Sequence, residues 1–147
     1  MIKLQKKAIR IITGTKYNSH TADKFTKLNI MPLPQLADYS KLLFMYDYIN
    51  DKLPLSFQET WIYNNIRNNR RMDGDHFYIP IIRFKSIEKL PYFCFPDLWN
   101  KNCFNDLLNS YQPRKMFIKN LTAYLMIQVE TVCTKAVCNE CFPDNHI

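Results

Sequence analysis

The last fifteen residues of the chain contain its best candidate for a metal site. Three thiols and an imidazole follow one another there in the spacing C-x4-C-x2-C-x4-H, from Cys133, Cys138 and Cys141 to His146. Zn²⁺ accepts such a tetrahedral set of sulfur and nitrogen ligands. The first spacing is loose, however, and the order differs from the zinc-knuckle pattern C-x2-C-x4-H-x4-C. Two alternatives stay open, a zinc site or free thiols in a frayed tail, and no other cofactor is indicated.

The sequence carries no recognisable catalytic motif. A phosphate-binding loop of the type G-x-x-x-x-G-K-[ST] is excluded because the chain has only two glycines, about sixty residues apart. Asp47 and Asp51 lie one helical turn apart, but beside a predicted helix end, where we expect them to face solvent. Asp73 and Asp75 flank a glycine in a turn, where Asp is favoured for backbone reasons. We therefore predict that the chain alone is not an enzyme.

Composition favours one mainly helical, intracellular domain. The chain has 147 residues, enough to bury a core, and 47% of them are hydrophobic. Two glycines against nine tyrosines and ten phenylalanines argue against a loop-rich β architecture. No apolar run reaches the roughly 18 residues of a membrane span, and lysines interrupt any N-terminal signal sequence. We predict a nuclear or cytoplasmic protein that is not secreted and has no membrane partner.

The N-terminal segment predicts an amphipathic helix over residues 2–12. On a helical wheel, one half of the circumference is apolar and the other half is cationic. The apolar half contains Ile2, Leu4, Ala8, Ile9, Ile11 and Ile12, and the cationic half contains Lys3, Lys6, Lys7 and Arg10. Gly14 supplies a stop signal. We interpret the apolar half as the side facing the core, although a membrane-surface helix, which would usually carry Trp or Phe, shares the pattern.

The positive charge of the chain predicts a polyanionic partner. The net charge is +7, and the cationic helix face contains no acid. A solvated face normally mixes both signs, so contact with RNA or DNA is favoured over a role in solubility alone. An arginine cluster in a predicted surface loop, residues 64–76, is the second candidate contact. The predicted nucleic-acid-binding residues are Lys3, Lys6, Lys7, Arg10, Lys16, Arg67, Arg70 and Arg71.

The remaining pattern predicts a small irregular helical domain, with three main helices plus short ones and an extended segment rich in aromatic residues and proline. The long helices are expected at residues 2–12, 35–51 and 113–128, and a short one at 22–28. Residues 77–84 have a β-like composition, but Pro80 limits them to an edge strand or an extended segment. Residues 90–100, which are dense in aromatic residues and bounded by prolines, form the extended aromatic segment. We assign residues 1–128 to the helical domain and residues 129–147 to a Cys-rich tail, with disorder as one alternative.

Several stretches of this sequence together resemble a known family. They read LQKKAIRIITGTKYNSHT, FTKLNIMPL, LFMYDYINDKLPLSF, LWN and FIKNLTAYLM. In this combination they are similar to the segment that follows the polymerase domain in non-LTR (LINE-type, jockey-like) retrotransposon reverse transcriptases. The similarity runs over residues 4–126, and the closing C-x4-C-x2-C is similar to endings of some of these elements.

The resemblance implies a non-catalytic accessory region of an RNA-directed DNA polymerase. The family's catalytic Tyr/Phe-x-Asp-Asp turn is not present, so no catalytic residue carries over. The implied partners are RNA or DNA and the upstream polymerase domain of the parent protein. One alternative is a structural module that packs Ile9, Ile12 and the helix at 35–51 against that domain. Another is a degenerate fragment with no activity of its own.

Overall fold

The computed structural model describes residues 1–62, 76–81, 83–102, 108 and 110–133. Five α-helices occur along them, namely α1 (Ile2–Ile12), α2 (Ala22–Lys27), α3 (Leu33–Ile49), α4 (Pro91–Asn102) and α5 (Arg114–Cys133). Short 3-10 turns lie at Leu55–Phe57 and Ile87–Lys89. The predicted mainly α, irregular helical fold is confirmed. The chain divides into two compact units: unit one joins residues 1–37 to the chain from Thr122 onward, and unit two is residues 38–121.

Residues with a left-handed backbone end the first three helices. Gly14, the predicted stop after α1, has a φ of 60°, and the amide of Thr15 donates to the carbonyl of Arg10 at 3.0 Å. Asn29 and Asp51 take the same position after α2 and α3, with φ values of 51° and 53°. Glycine and asparagine are the residues that tolerate this conformation best. The sequence therefore terminates its helices locally.

Helix α3 begins at Leu33, two residues before its predicted start, and takes in part of the expected extended connector. Pro34 lies in the first turn, where the missing N–H has no partner to lose. The side chain of Gln5 in α1 caps this start, because its Oε1 accepts from the Leu33 amide at 2.9 Å. Its Nε2 donates to the Met31 carbonyl at 3.1 Å. A polar residue within the apolar half of α1 thus has a packing role in unit one.

Residues 91–102 form helix α4, so the prediction of an extended aromatic segment is wrong. Pro91 suits the first helical position, but Pro96 lies inside the helix and has no N–H to donate to the carbonyl of Tyr92. The indole Nε1 of Trp61 donates to that carbonyl instead, at 2.7 Å. The hydrogen bond that Pro96 removes is therefore replaced by one from a residue far along the chain.

Aromatic rings fill the core of unit two. Trp61 is the centre of one group and meets the rings of Phe44 and Tyr48 edge-on, with centroids 5.9 and 4.9 Å away. Tyr46 and Phe117 stack at 4.2 Å in a second group. Rings packed at these distances contribute beyond the apolar area that they bury. Tyr46 and Tyr48 of α3 are thus part of the core.

Unit two also contains the one two-pronged ion pair among the described residues. Arg114 at the start of α5 donates from Nε and Nη2 to the two carboxylate oxygens of Asp47, at 2.9 and 3.0 Å. These hydrogen bonds and the charge of Asp47 raise the pKa of Arg114 above its ordinary value. Because the guanidinium is exposed, solvent screens the pair and its contribution to stability is small.

The edge strand predicted at residues 77–84 is reduced to one bridge residue, Phe77, in the described part of this range. The Phe77 amide donates to Asn100 Oδ1 at 2.9 Å, and Asn100 Nδ2 donates to the Phe77 carbonyl at 2.8 Å. The Tyr78 amide donates to the Ile62 carbonyl at 2.8 Å. The side-chain amide of Asn100 therefore pairs with the backbone of Phe77. No strand longer than this single bridge occurs in the described ranges.

Unit one is built around a small apolar cluster. Ile9 of α1, Ala22 and Phe25 of α2, and Val129 near the end of α5 are all buried in it. Helix α5 continues to Cys133, beyond the boundary predicted at residue 128. None of the helices in the described ranges combines the length and the apolarity needed to cross a bilayer.

Candidate nucleic-acid interface

The first helix is rotated relative to the orientation that its wheel predicts. Lys6 and Arg10 are buried, with 6% and 9% of their surface exposed. Leu4 and Ile11, predicted to face the core, are each 72% exposed. The prediction that the cations of α1 all point outward is therefore wrong for Lys6 and Arg10. The prediction that its apolar half points inward is wrong for most of that half.

Two side chains attach α1 to the rest of unit one. Ile9 packs into the cluster of unit one, and Gln5, one turn earlier, caps α3. Since successive residues are about 100° apart, Lys6 lies between Ile9 and Arg10 on the helical wheel, so these three residues share the buried side of α1. Ile11 then lies on the outer side. Lys and Arg tolerate the buried side because their long aliphatic stems can be buried.

The buried Arg10 holds the loop that follows α1. Its Nε donates to the carbonyl of Ser19 at 2.9 Å, and its guanidinium lies 5.8 Å from the ring centre of Tyr17. Lys24 of α2 reaches the same loop, where its Nζ donates to Ser19 Oγ at 2.9 Å and to the carbonyl of His20. Two cations from different helices thus converge on one residue, Ser19.

Three of the predicted contact residues are available to a polyanion. Lys3 and Lys7 lie one turn apart on the exposed side of α1, and Lys16 lies in the following loop, also exposed. Residues 1–37 contain seven Lys or Arg and a single acid, Asp23. That acid lies 4.0 Å from Lys27. The surface of this part of unit one is therefore positive with little internal compensation.

The arginine cluster and most of the metal candidate lie outside the described residues. Arg67, Arg70 and Arg71 fall in the range 63–75, and Cys138, Cys141 and His146 fall beyond residue 133. Cys133 is the last residue of α5. The described residues contain no group of three or more side chains that could bind a metal ion. The arginine contacts and the zinc site stay predictions.

Sequence reasoning missed Lys24. The sequence predicts that the helix at residues 22–28 packs through Phe25 and Leu28, and this pattern gives Lys24 no role. A signal was present nonetheless, since Lys24 lies between Ala22 and Phe25, the two residues that bury α2. Only the fold shows that its Nζ meets the loop held by Arg10.

The comparisons with known proteins identify no relative. A scan against protein-family models, a search of curated proteins and a search of solved structures each find no match to this chain.

Proposed function

We propose that this chain is a non-catalytic accessory region of an intracellular RNA-directed DNA polymerase and that unit one binds the backbone of RNA or DNA. One observation carries the binding role: residues 1–37 contain seven Lys or Arg and only one acid. The resemblance to the segment after the polymerase domain of non-LTR reverse transcriptases supplies the polymerase context. Arg67, Arg70 and Arg71 are proposed as a second contact of their own.

The contact is proposed to run along the exposed lysines rather than along the whole cationic half of α1. Among the described members of the predicted set, Lys3, Lys7 and Lys16 are the exposed ones. Lysine binds phosphate as a point charge and reads no base, so the binding should tolerate any sequence. Phosphate contacts release counterions, so the affinity should fall steeply as salt is added.

Neutralising these three lysines should weaken binding and reduce its salt dependence. For K3Q/K7Q/K16Q, we expect the slope of log K against log salt to become shallower by roughly 2 to 3, one charge contact for each lysine. The measurement is a fluorescence-anisotropy titration of labelled single strands, RNA and DNA, between low and physiological salt. The matched control is K89Q/K115Q/K119Q, which removes three exposed lysines of unit two. Equal slopes for the two variants, or no salt slope for the wild type, would contradict the proposal.

A second candidate function is a packing module, and the exposed apolar side of α1 favours it. Leu4, Ile11 and Ile12 lie on this side and are largely exposed. An amphipathic helix normally buries such a surface, and exposed apolar patches mark interaction sites. The partner proposed from the resemblance is the upstream polymerase domain.

Polar substitution of this apolar side should leave the fold intact. For L4Q/I11Q, we expect the free energy of unfolding to change by less than about 0.5 kcal/mol, because both side chains are already exposed. Binding of a hydrophobic dye should fall, since the apolar patch is removed. The control is Ile9→Gln, which places an amide in the buried cluster and should be strongly destabilising. A loss of stability in L4Q/I11Q as large as in the control would show that α1 is rotated differently.

A further inference from the structure

Arg10 and Lys24 are buried cations that no described carboxylate neutralises. Each is only 9% exposed, and both donate to neutral oxygens of residues 19 and 20. Asp23 is the one acid whose side chain is described in unit one, and it lies beside Lys27 at the surface. Burial of a charge is costly unless an opposite charge accompanies it, and here two like charges lie together. The arrangement therefore brings two cations together with no anion among the described residues.

The geometry leaves Arg10 with unused donors. Its Nε donates to Ser19, but its Nη1 and Nη2 groups make no hydrogen bond among the described residues. Both groups remain accessible to solvent, because neither is a fully buried atom without a partner. A guanidinium offers its remaining N–H groups as a planar fork that matches the oxygens of a phosphate. Lys24 adds an ammonium group, 2.9 Å from Ser19 Oγ.

We propose that Arg10 and Lys24, held in place by Ser19, form a binding site for a phosphate group beside the loop of residues 13–20. The phosphate belongs either to the backbone of RNA or DNA or to a small phosphate compound. The backbone source rests on the proposed function, whereas the small-compound source does not. Lys16, exposed in the same loop, lies where an approaching anion would be attracted first.

The direct test follows the Arg10 side chain in the full-length wild-type chain, so no variant needs to fold. The Nε–Hε signal of Arg10 is observed by ¹⁵N NMR during titration with inorganic phosphate, at ionic strength held constant with sodium chloride. We expect a saturable shift with phosphate and none with chloride alone. An internal carboxylate from the remainder of the chain, already paired with Arg10, would give no such shift. A linear or absent response would overturn the proposal.

Removal of the second cation should weaken this binding. For Lys24→Gln, we expect phosphate affinity to fall about tenfold, because a charge-assisted hydrogen bond is lost. The matched control is Lys27→Gln in the same helix, which changes the charge equally at an exposed position and should leave the affinity unchanged. Equal responses of the two variants would contradict the site.

Competition identifies the source of the phosphate. If a single-stranded oligonucleotide displaces inorganic phosphate from Arg10, the site binds the nucleic-acid backbone. If both bind at once, the site serves a small phosphate compound; either result supports the site. If phosphate never binds but K3Q/K7Q/K16Q still weakens oligonucleotide binding, the site is refuted and the proposed function stands. If phosphate binds but the oligonucleotide does not, the proposed function fails and the site stands.

Discussion

Replacing Trp61 with alanine should lower the free energy of unfolding by about 3–5 kcal/mol, the range for a large aromatic residue removed from a core. Its indole is buried against Phe44 and Tyr48 and supplies the hydrogen bond that Pro96 takes from Tyr92. The variant therefore loses ring packing and leaves a carbonyl without a donor. The measurement is guanidinium denaturation followed by far-UV circular dichroism. The control is Ile81→Ala, since Ile81 is 98% exposed and should contribute little.

A milder substitution separates the two losses at this position. Trp61→Phe keeps a ring but removes the N–H, and we expect a cost of about 1–3 kcal/mol from the unpaired Tyr92 carbonyl. Adding Pro96→Ala returns a helical amide that can donate to the same carbonyl. The cost of the double variant should therefore be smaller than the sum of the single costs. Strict additivity would show that Trp61 does not compensate for Pro96.

Replacing Phe25 with alanine should have an effect of similar size, about 3–5 kcal/mol, on unit one. Phe25 is buried in one cluster with Ile9 and Val129, so it connects α2 to α1 and to the end of α5. The measurement is amide hydrogen exchange, in which the amides of α1 should lose protection. Because the same cluster holds α1 in position, oligonucleotide affinity should fall in parallel.

The control for Phe25 lies in the same helical segment. Leu28 follows α2 directly and is partly exposed, so Leu28→Ala should change stability by no more than about 1 kcal/mol. Unchanged protection of α1 in Phe25→Ala would show that this cluster does not hold the helix.

Local signals predicted most helices and their ends. Apolar spacing indicated α1, α3 and α5, and Gly14 marked where α1 stops. Helix α4 was not predicted because an internal proline such as Pro96 normally breaks a helix. Here another group donates to the Tyr92 carbonyl that Pro96 leaves without a partner. The donor is Trp61, and no local pattern connects a tryptophan to a proline so far along the chain. Such long-range compensation becomes visible only when the fold is known.

The candidate interface was predicted in part. A helical wheel says which residues share a side, but which side faces the core depends on what the helix packs against. Here the buried side contains Ile9 together with Lys6 and Arg10, while Lys3 and Lys7 stay exposed. Lys24 was missed for the same reason, because its role depends on a loop that Arg10 holds from another helix.

Chemical modification of lysines in the presence and absence of an oligonucleotide tests the central claim most directly. Amine acetylation, located by tandem mass spectrometry, should modify Lys3, Lys7 and Lys16 rapidly in the free chain and Lys6 and Lys24 slowly. A single-stranded oligonucleotide at low salt should protect the three rapidly modified lysines. Lys115 and Lys119, exposed on α5, should stay reactive. Rapid modification of Lys6, or protection on α5 in place of α1, would contradict both the orientation of the first helix and the role proposed for it.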